Sequence, residues 1–364
     1  MSEPEGHARV AGAMGRYAIE PLRAFGRAVL AAHGATAEEA EIVADCLVDA
    51  QLRTAPFQNQ GLIRLAIYAR RIREGGLRPN AAITVARESP SAALLDGGNA
   101  FGQVVAHRAM TLAIAKARAT GVGAVAARNS NHFGTASYFT LMAARAGLVG
   151  LAFTNASPEM PPWGGAVALV GTNPWSIAVP CPRGRPVVLD LSNATSGKGV
   201  IRRFAALGRP LPPDWATDAQ GRPVTDPGAA ADALLVPIGG YKGYGIALMV
   251  DLLTGGLAGG AVGSAVGSPY QFGRPQGVSH LTMALDPGAF GGTDALAAAV
   301  DALAREVRGA PRQPGVDVIC LPGDPEWERE QIARERGVEL PGETAARLRA
   351  LGGEVGVPFP EPAP

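Results

Sequence analysis

Asn129-Ser130-Asn131-His132-Phe133-Gly134 is a polar loop directly after a buried-looking strand, the place where α/β sheets present groups to ligands. Of five histidines, His132 is the one in such a setting. His7 lies in the N-terminal tail, and His33 and His107 fall in helical segments where packing or exposure is the default. No second histidine is spaced as a metal partner, and no Gly-x-Ser-x-Gly elbow is present. Acid/base work by His132 therefore fits better than zinc or nucleophilic chemistry, and no metal site is expected.

Three more small-residue loops share this flavour: Met160 to Gly165, Gly171-Thr172-Asn173-Pro174, and Gly239 to Gly245. Such loops can bring backbone N–H groups close to phosphates. The chain has 30 arginines and only three lysines, Lys116, Lys198 and Lys242. Arginine is a broad planar fork that stays charged, so positions that keep the slim ammonium are candidates for sites where its shape matters.

Two nucleotide motifs are only apparent. Gly121-Val122-Gly123-Ala124-Val125-Ala126 matches G-x-G-x-x-A, but a helix precedes it and a strand follows, the reverse of the dinucleotide fingerprint. Gly121 reads as a helix C-terminal glycine. Ser196-Gly197-Lys198-Gly199 lacks the upstream glycine and the trailing Ser/Thr of a P-loop.

The elements that must position these groups follow from periodicity and punctuation. Helices are expected over Pro21–Ala32, from the Thr36/Glu39 capping box to about Arg53, and from about Gly61 to Glu74. A hairpin-like pattern over Ile83–Leu95 gives way to a helix from about Gln103 to Ala119. The character then turns α/β: strand Val122–Ala127, helix Ala136–Ala146, strand Val149–Thr154. Further strands are expected at Ser176–Val179, Val187–Leu191, Ser279–Leu285 and Val316–Cys320. Gly243–Gly263 is apolar, but Asp251 and paired glycines break it, so a buried helix of about twelve residues is expected there instead of a membrane span. Arg209–Pro227 is a proline-rich excursion, and the last forty or so residues read as charged helix with a Pro-rich end.

Composition narrows the function classes. The chain has 364 residues, 47% of them apolar, which is enough for two or three domains with real cores. A formal net charge of +1 with 18% charged residues offers no field for nucleic acid or an anionic membrane, so neither is an expected partner. Cys46, Cys181 and Cys320 are widely spaced, which suggests a reducing, cytoplasmic setting. The start of the chain shows no signal-peptide pattern.

Several segments carry a resemblance when taken in order: NSNHFGTASYFTLMAARAGLVGLAFTNASPEMPPWGG, GTNPWSIAVP, VVLDLSNATSGKG, GGYKGYGIALMVDLL and LPGDPEWER. They look like the type-2 malate/L-lactate dehydrogenase family over about Ala50 to Arg329. That family reduces or oxidises 2-oxo acids, diketogulonate, ureidoglycolate and cyclic 2-ketimines with NADH or NADPH. The resemblance implies an α/β (α+β) fold that is not a Rossmann fold. A mixed-sheet cofactor domain over 121–289 joins a helical domain of 1–80 plus about 325–364, through a linking part of 81–120 plus about 290–324. It implies a homodimer with a small carboxylate substrate. Carried over by position, it makes His132 a proton donor or acceptor. The cofactor contacts would be Asn155, Thr172, Asn173, Asp190, Leu191, Ser192, Asn193, Tyr241, Lys242, Gly323, Asp324 and Pro325.

One motif departs from the family. Where it has Asp-Ser-His-Gly followed by x-x-Arg, this chain reads Gln58-Asn59-Gln60-Gly61-Leu62-Ile63-Arg64, so Asn59 and Gln60 replace the Ser and the usual catalytic His. Arg64 survives and can hold a carboxylate as a bidentate pair. Gln60 cannot titrate, and losing a poised proton donor costs about 10² to 10⁴ in rate unless another group, His132, serves. A cyclic ketimine that enters protonated needs no proton in the hydride step, so the substitution tilts the expectation towards a C=N substrate bearing a carboxylate. The alternative is an altered family member that binds the dinucleotide but acts on a specialised substrate, does non-redox chemistry or serves as a binding subunit.

Overall fold

The computed structural model describes residues 14–55, 61–181 and 184–363. Asn59 and Gln60, the departures from the family motif, lie outside them, as does His7. Strand β1 (Met14–Tyr17) leads into helices α1 (Ile19–Ala32), α2 (Ala37–Arg53) and α3 (Arg64–Arg73). Next come β2 (Thr84–Glu88), β3 (Ala92–Asp96), α4 (Gly102–Thr120), β4 (Val122–Ser130), α5 (Ala136–Arg145) and β5 (Val149–Thr154). A short pair, β6 (Pro158–Met160) and β7 (Val170–Gly171), precedes β8 (Trp175–Val179), β9 (Val187–Leu191) and α6 (Lys198–Ala206). The two-residue strands β10 (Ala216–Thr217) and β11 (Leu234–Leu235) precede α7 (Tyr241–Asp251), which runs into a π turn at Leu252–Gly256. The chain closes with β12 (Val278–Leu285), α8 (Thr293–Gly309), α9 (Asp324–Arg336), β13 (Val338–Pro341) and α10 (Gly342–Glu354).

Seven strands form one mixed sheet in the order β2-β3-β4-β12-β5-β8-β9, with β3 and β4 parallel and every other pair antiparallel. The alternation iBiBiB along β5 shows one face turned inward. Helices α4 and α5 cover that face over a core including Met110, Phe133, Phe139 and Leu148. A second core joins α1–α3 to α10 and the β1–β13 pair, with Leu47, Leu65, Tyr68 and Leu348 inside it. N- and C-terminal segments thus complete each other.

Local chemistry explains the expected elements. The Thr36/Glu39 capping box is formed in both directions, 3.2 Å from Glu39 N to Thr36 Oγ1 and 2.9 Å from Thr36 N to Glu39 Oε2. Gly121 ends α4 at φ 84°. Two residues on, a Cβ at Gly123 would collide with the Ala113 carbonyl, so the apparent G-x-G is a cap followed by a close helix–strand approach.

Three expectations need correction. Residues 316–320 form no strand: prolines and glycines flank the run, Val318 is 64% exposed, and the β9 edge is met instead by Pro322, whose carbonyl accepts from Val188 N at 3.0 Å. Helix α7 is not buried in this chain. Ala247 and Val250 pack inward, while Met249, Leu252 and Leu257 are 53%, 49% and 64% exposed. Gly239–Gly245 is loop only as far as Gly240, because Tyr241 opens α7. In the Arg209–Pro227 excursion, Trp215 packs edge-on against Phe204 at 5.0 Å between ring centroids.

Candidate active site

Helix α3 carries three polar side chains at i, i+4 and i+7, Arg64, Tyr68 and Arg71, which the 3.6-residue repeat sets on one face. That face meets the β4–α5 loop. Tyr68 Oη lies 2.9 Å from His132 Nδ1 and accepts from Gln103 Nε2 at 2.7 Å. Arg71, 1% exposed, donates to Asn131 Oδ1 at 3.1 Å and to the carbonyls of Gly76, Arg274 and Gln271 at 2.6, 2.9 and 3.0 Å. It thereby ties the 268–276 segment to the histidine loop. From that segment Gln276 Oε1 accepts from His132 N at 3.1 Å.

Of these groups Arg64, His132 and Gln276 wall a cavity of about 410 Å³, within the size range of small-molecule sites. Arg64 and His132 stand in its lining with Glu159, Lys198, Arg202 and Tyr270. Burial, with Arg64 and His280 adding to it, holds the His132 ring well below its ordinary pKa, so it is neutral near pH 7. Burial pushes the Glu159 carboxyl up against the opposing pull of Arg202, Lys198 and Arg64. It also lowers the Lys198 ammonium, which donates to the Ala233 carbonyl. The Arg202 guanidinium stacks over the Tyr270 ring, 4.4 Å from its centroid. Arg53 reaches the same cavity but is engaged by Glu330 at 2.7 Å.

The residues expected to hold a cofactor divide into two groups. Thr172, Asp190, Leu191, Ser192 and Asn155 line the cavity. Asp190 opens onto it while accepting from Ser137 N at 2.8 Å, so it also caps the N-terminus of α5 from across the sheet. Asn155 spends its amide on Asp251 Oδ1 and Ala261 O, and its Oδ1 on Ser279 N. Asn173 and Asn193, both 0% exposed, brace neighbouring backbone, the first at a φ of 38°.

Tyr241 and Lys242 open α7 away from the cavity lining, with Tyr241 60% exposed and edge-on to Trp163 at 6.2 Å. Gly323 caps α9 at φ 90°, and Asp324 and Pro325 follow in its first turn. Asp324 pairs with Arg185 at 2.5 Å and Arg308 at 3.1 Å, and Glu326 alone of that turn lines the cavity. Among the described residues no group of three His, Cys, Asp or Glu side chains is placed to hold a metal, and no helix is long and apolar enough to cross a membrane.

The cavity suits a dinucleotide. Thr135 Oγ1 is buried beside it without a hydrogen-bond partner, and the N-terminus of α6 at Gly197-Lys198-Gly199 opens onto it with no side-chain cap.

Sequence reasoning had singled out Lys198 for its rarity but passed over Tyr68, Ser137, Glu159, Arg202, Tyr270 and Gln276. Two of these carried a signal. Tyr68 stands four residues after Arg64 and Arg202 four after Lys198, each one helical turn away on the same face.

Comparison with known proteins agrees with this fold and gives the class, an NAD(P)-dependent dehydrogenase. Residues 17–349 match the malate/L-lactate dehydrogenase family, and the chain belongs to it. It is 36% identical over 329 residues to the L-sulfolactate dehydrogenase of Methanothermobacter thermautotrophicus, covering 90% of this chain and 94% of that one. It is 37% identical over 326 residues to the (2R)-3-sulfolactate dehydrogenase (NADP(+)) of Chromohalobacter salexigens, covering 89% and 94%. Among solved structures, malate dehydrogenase from Entamoeba histolytica superposes with a TM-score of 0.91 at 29% identity, covering 96% of this chain and all of that one. Delta1-piperideine-2-carboxylate reductase from Pseudomonas syringae gives 0.82 at 28%, covering 92% and 99%.

Proposed function

We propose that the protein reduces a small carboxylate-bearing 2-oxo acid, or its cyclic ketimine counterpart, with NADH or NADPH. The observation that carries this reading is the placement of Arg64 and His132 in one enclosed cavity with Lys198 and Arg202. A reduced nicotinamide bound there supplies the hydride. Arg64 holds the substrate carboxylate through paired N–H groups. His132 faces the atom that gains electrons: hydride adds to the carbonyl carbon, the π pair moves to the oxygen that the ring hydrogen-bonds, and that oxygen takes its proton from water. Lys198 and Arg202 face the far end of the substrate and suit a second anionic or strongly polar group.

The cyclic ketimine is the second reading and rests on Gln60 at the family's histidine position, because a pre-protonated ring nitrogen needs no acid in the hydride step. The apolar, exposed side of α7, with Met249, Leu252 and Leu257, is the face of a homodimer in this reading.

The test is loss of reduced-nicotinamide absorbance with NADH and NADPH in parallel. The panel is pyruvate, oxaloacetate, a sulfonated 2-oxo acid and piperideine-2-carboxylate. Turnover of at least one substrate is expected, with its KM raised at least about tenfold in Arg64→Met. Cofactor binding without turnover of any of them would reject the reading. Light scattering checks the dimer: a monomeric mass at micromolar concentration would remove it.

A further inference from the structure

We infer that Tyr68, held by Gln103, commits His132 to the tautomer that carries its proton on Nε2, and so makes the site a hydrogen-bond donor selective for C=O over a protonated C=N. This deepens the reading above and rests on its placement of His132 at the reacting atom.

The argument is a count of protons along a buried chain. Gln103 is 0% exposed and Tyr68 2%. With the Gln103 amide N–H directed at Tyr68 Oη across 2.7 Å, that oxygen is an acceptor on one side. The reverse amide orientation would leave both N–H groups of Gln103 buried with no partner. The observed one leaves the carbonyl oxygen Oε1 and one N–H unpartnered, a single orphaned donor instead of two, and orphaned acceptors are better tolerated than orphaned donors. The phenol keeps its proton, since burial drives its pKa far above neutrality. Its hydrogen must go to a partner, and the neighbour in reach is His132 Nδ1 at 2.9 Å. A nitrogen that accepts has no hydrogen, so the proton of the neutral ring sits on Nε2, the nitrogen left for a ligand in the cavity.

The consequence is chemical selectivity. A ketone oxygen has lone pairs to accept the Nε2–H bond, and the bond strengthens as negative charge builds on that oxygen during hydride addition. A ketiminium nitrogen carries its own N–H and no lone pair, so it would set donor against donor and leave both unpaired. A neutral imidazole in this role stabilises charge at oxygen without first having to become imidazolium. Tyr68 touches neither substrate nor cofactor in this scheme and acts as a positioning residue.

The test begins with long-range ¹H–¹⁵N correlation of protein labelled in histidine, with His132 assigned by His132→Gln. The wild type is expected to show one tautomer, with Nε2 protonated and Nδ1 shifted as a hydrogen-bonded acceptor. In Tyr68→Phe the single tautomer should give way to a mixture, because no hydroxyl then holds Nδ1 as an acceptor. Circular dichroism serves as the fold check, and Gln103→Leu is a second variant in which Tyr68 is released to accept and the single tautomer gives way to a mixture.

In kinetics, wild type should favour a 2-oxo acid over the cyclic ketimine of equal chain length by at least about tenfold in kcat/KM. Tyr68→Phe should narrow that ratio by lowering kcat for the oxo acid, with KM for the cofactor unchanged. A wild-type Nδ1 that carries the proton, or a preference for the ketimine, overturns the inference. A protein with the Nε2–H ring that reduces neither compound overturns the reductase reading and leaves the tautomer assignment standing.

Discussion

Arg71 Nη2 lies 3.1 Å from Asn131 Oδ1, one residue before the proposed donor His132. The same guanidinium serves carbonyls at Gly76, Gln271 and Arg274, so one buried cation ties α3 to both loops that wall the cavity. Replacing it with Met leaves those acceptors unpaired in the interior. The expected cost is roughly 3 to 5 kcal/mol, read as a lower urea midpoint. Folded Arg71→Met should also show a raised KM, because the 268–276 wall loses its anchor. An unchanged midpoint would mean that water replaces the guanidinium at little cost.

That tie also marks the boundary of what the residues alone disclosed. The capping box at Thr36, the left-handed Gly121 and the strands β4, β5, β8, β9 and β12 were legible because each is written locally, in a cap, a stop or a period of two. The order of those strands is not local, and neither is Asp190 capping α5 from another strand. The run Val316–Cys320 has strand composition but no neighbour to pair with, and composition cannot report that. Helix α7 is apolar all round, which in a sequence reads as burial. In this chain only the Ala247 and Val250 side is covered. The His132 loop was recognisable from its polar residues after a strand, whereas Tyr68 needed the helix register and the fold together.

Arg64 and His132 should separate in kinetics if they do different work. Arg64→Met removes charged hydrogen bonds to a carboxylate present in both ground and transition states. The expected result is KM raised roughly 10- to 150-fold with kcat held within a few fold. His132→Gln removes a donor needed as charge develops, so kcat should fall by about 10² to 10⁴ with KM little changed. Steady-state assays over substrate concentration read both. Equal losses of kcat in the two variants would contradict the division of roles.

Arg202 of α6 and Tyr270 of the 268–276 segment meet with the guanidinium 4.4 Å from the ring centroid. A cation–π contact of about 0.5 to 2 kcal/mol holds the cavity mouth in this arrangement. Tyr270→Leu keeps apolar bulk but loses the ring face. We expect a three- to tenfold rise in substrate KM, roughly what about 1 kcal/mol supplies, and a kcat that is unchanged or slightly faster if release limits turnover. No change in KM would show that the stacked pair plays no part in retaining substrate.

Stability should fall on acidification, and His280 supplies a distinct share of the slope. Its ring is fully buried, with Nδ1 2.8 Å from Thr154 Oγ1, Nε2 2.8 Å from Ser130 Oγ, and a stacked Phe133 at 4.8 Å. Burial lowers its pKa to about 3, against roughly 6.5 in an unfolded chain. Between those values the unfolded state binds a proton that the folded state does not. The contribution is therefore complete above roughly pH 6.5 and is lost as pH falls, by up to about 1.4 kcal/mol per unit. His132, also held low by burial, adds a slope of the same sign. Asp49 opposes them: burial raises it to about 6, so its contribution is full below roughly pH 4 and is lost as pH rises through about 6. Urea midpoints measured from pH 7.5 to 4 should fall for the wild type, and His280→Gln, less stable at pH 7.5, should fall less steeply. A variant with the wild-type slope would show that His280 takes up its proton without unfolding the protein.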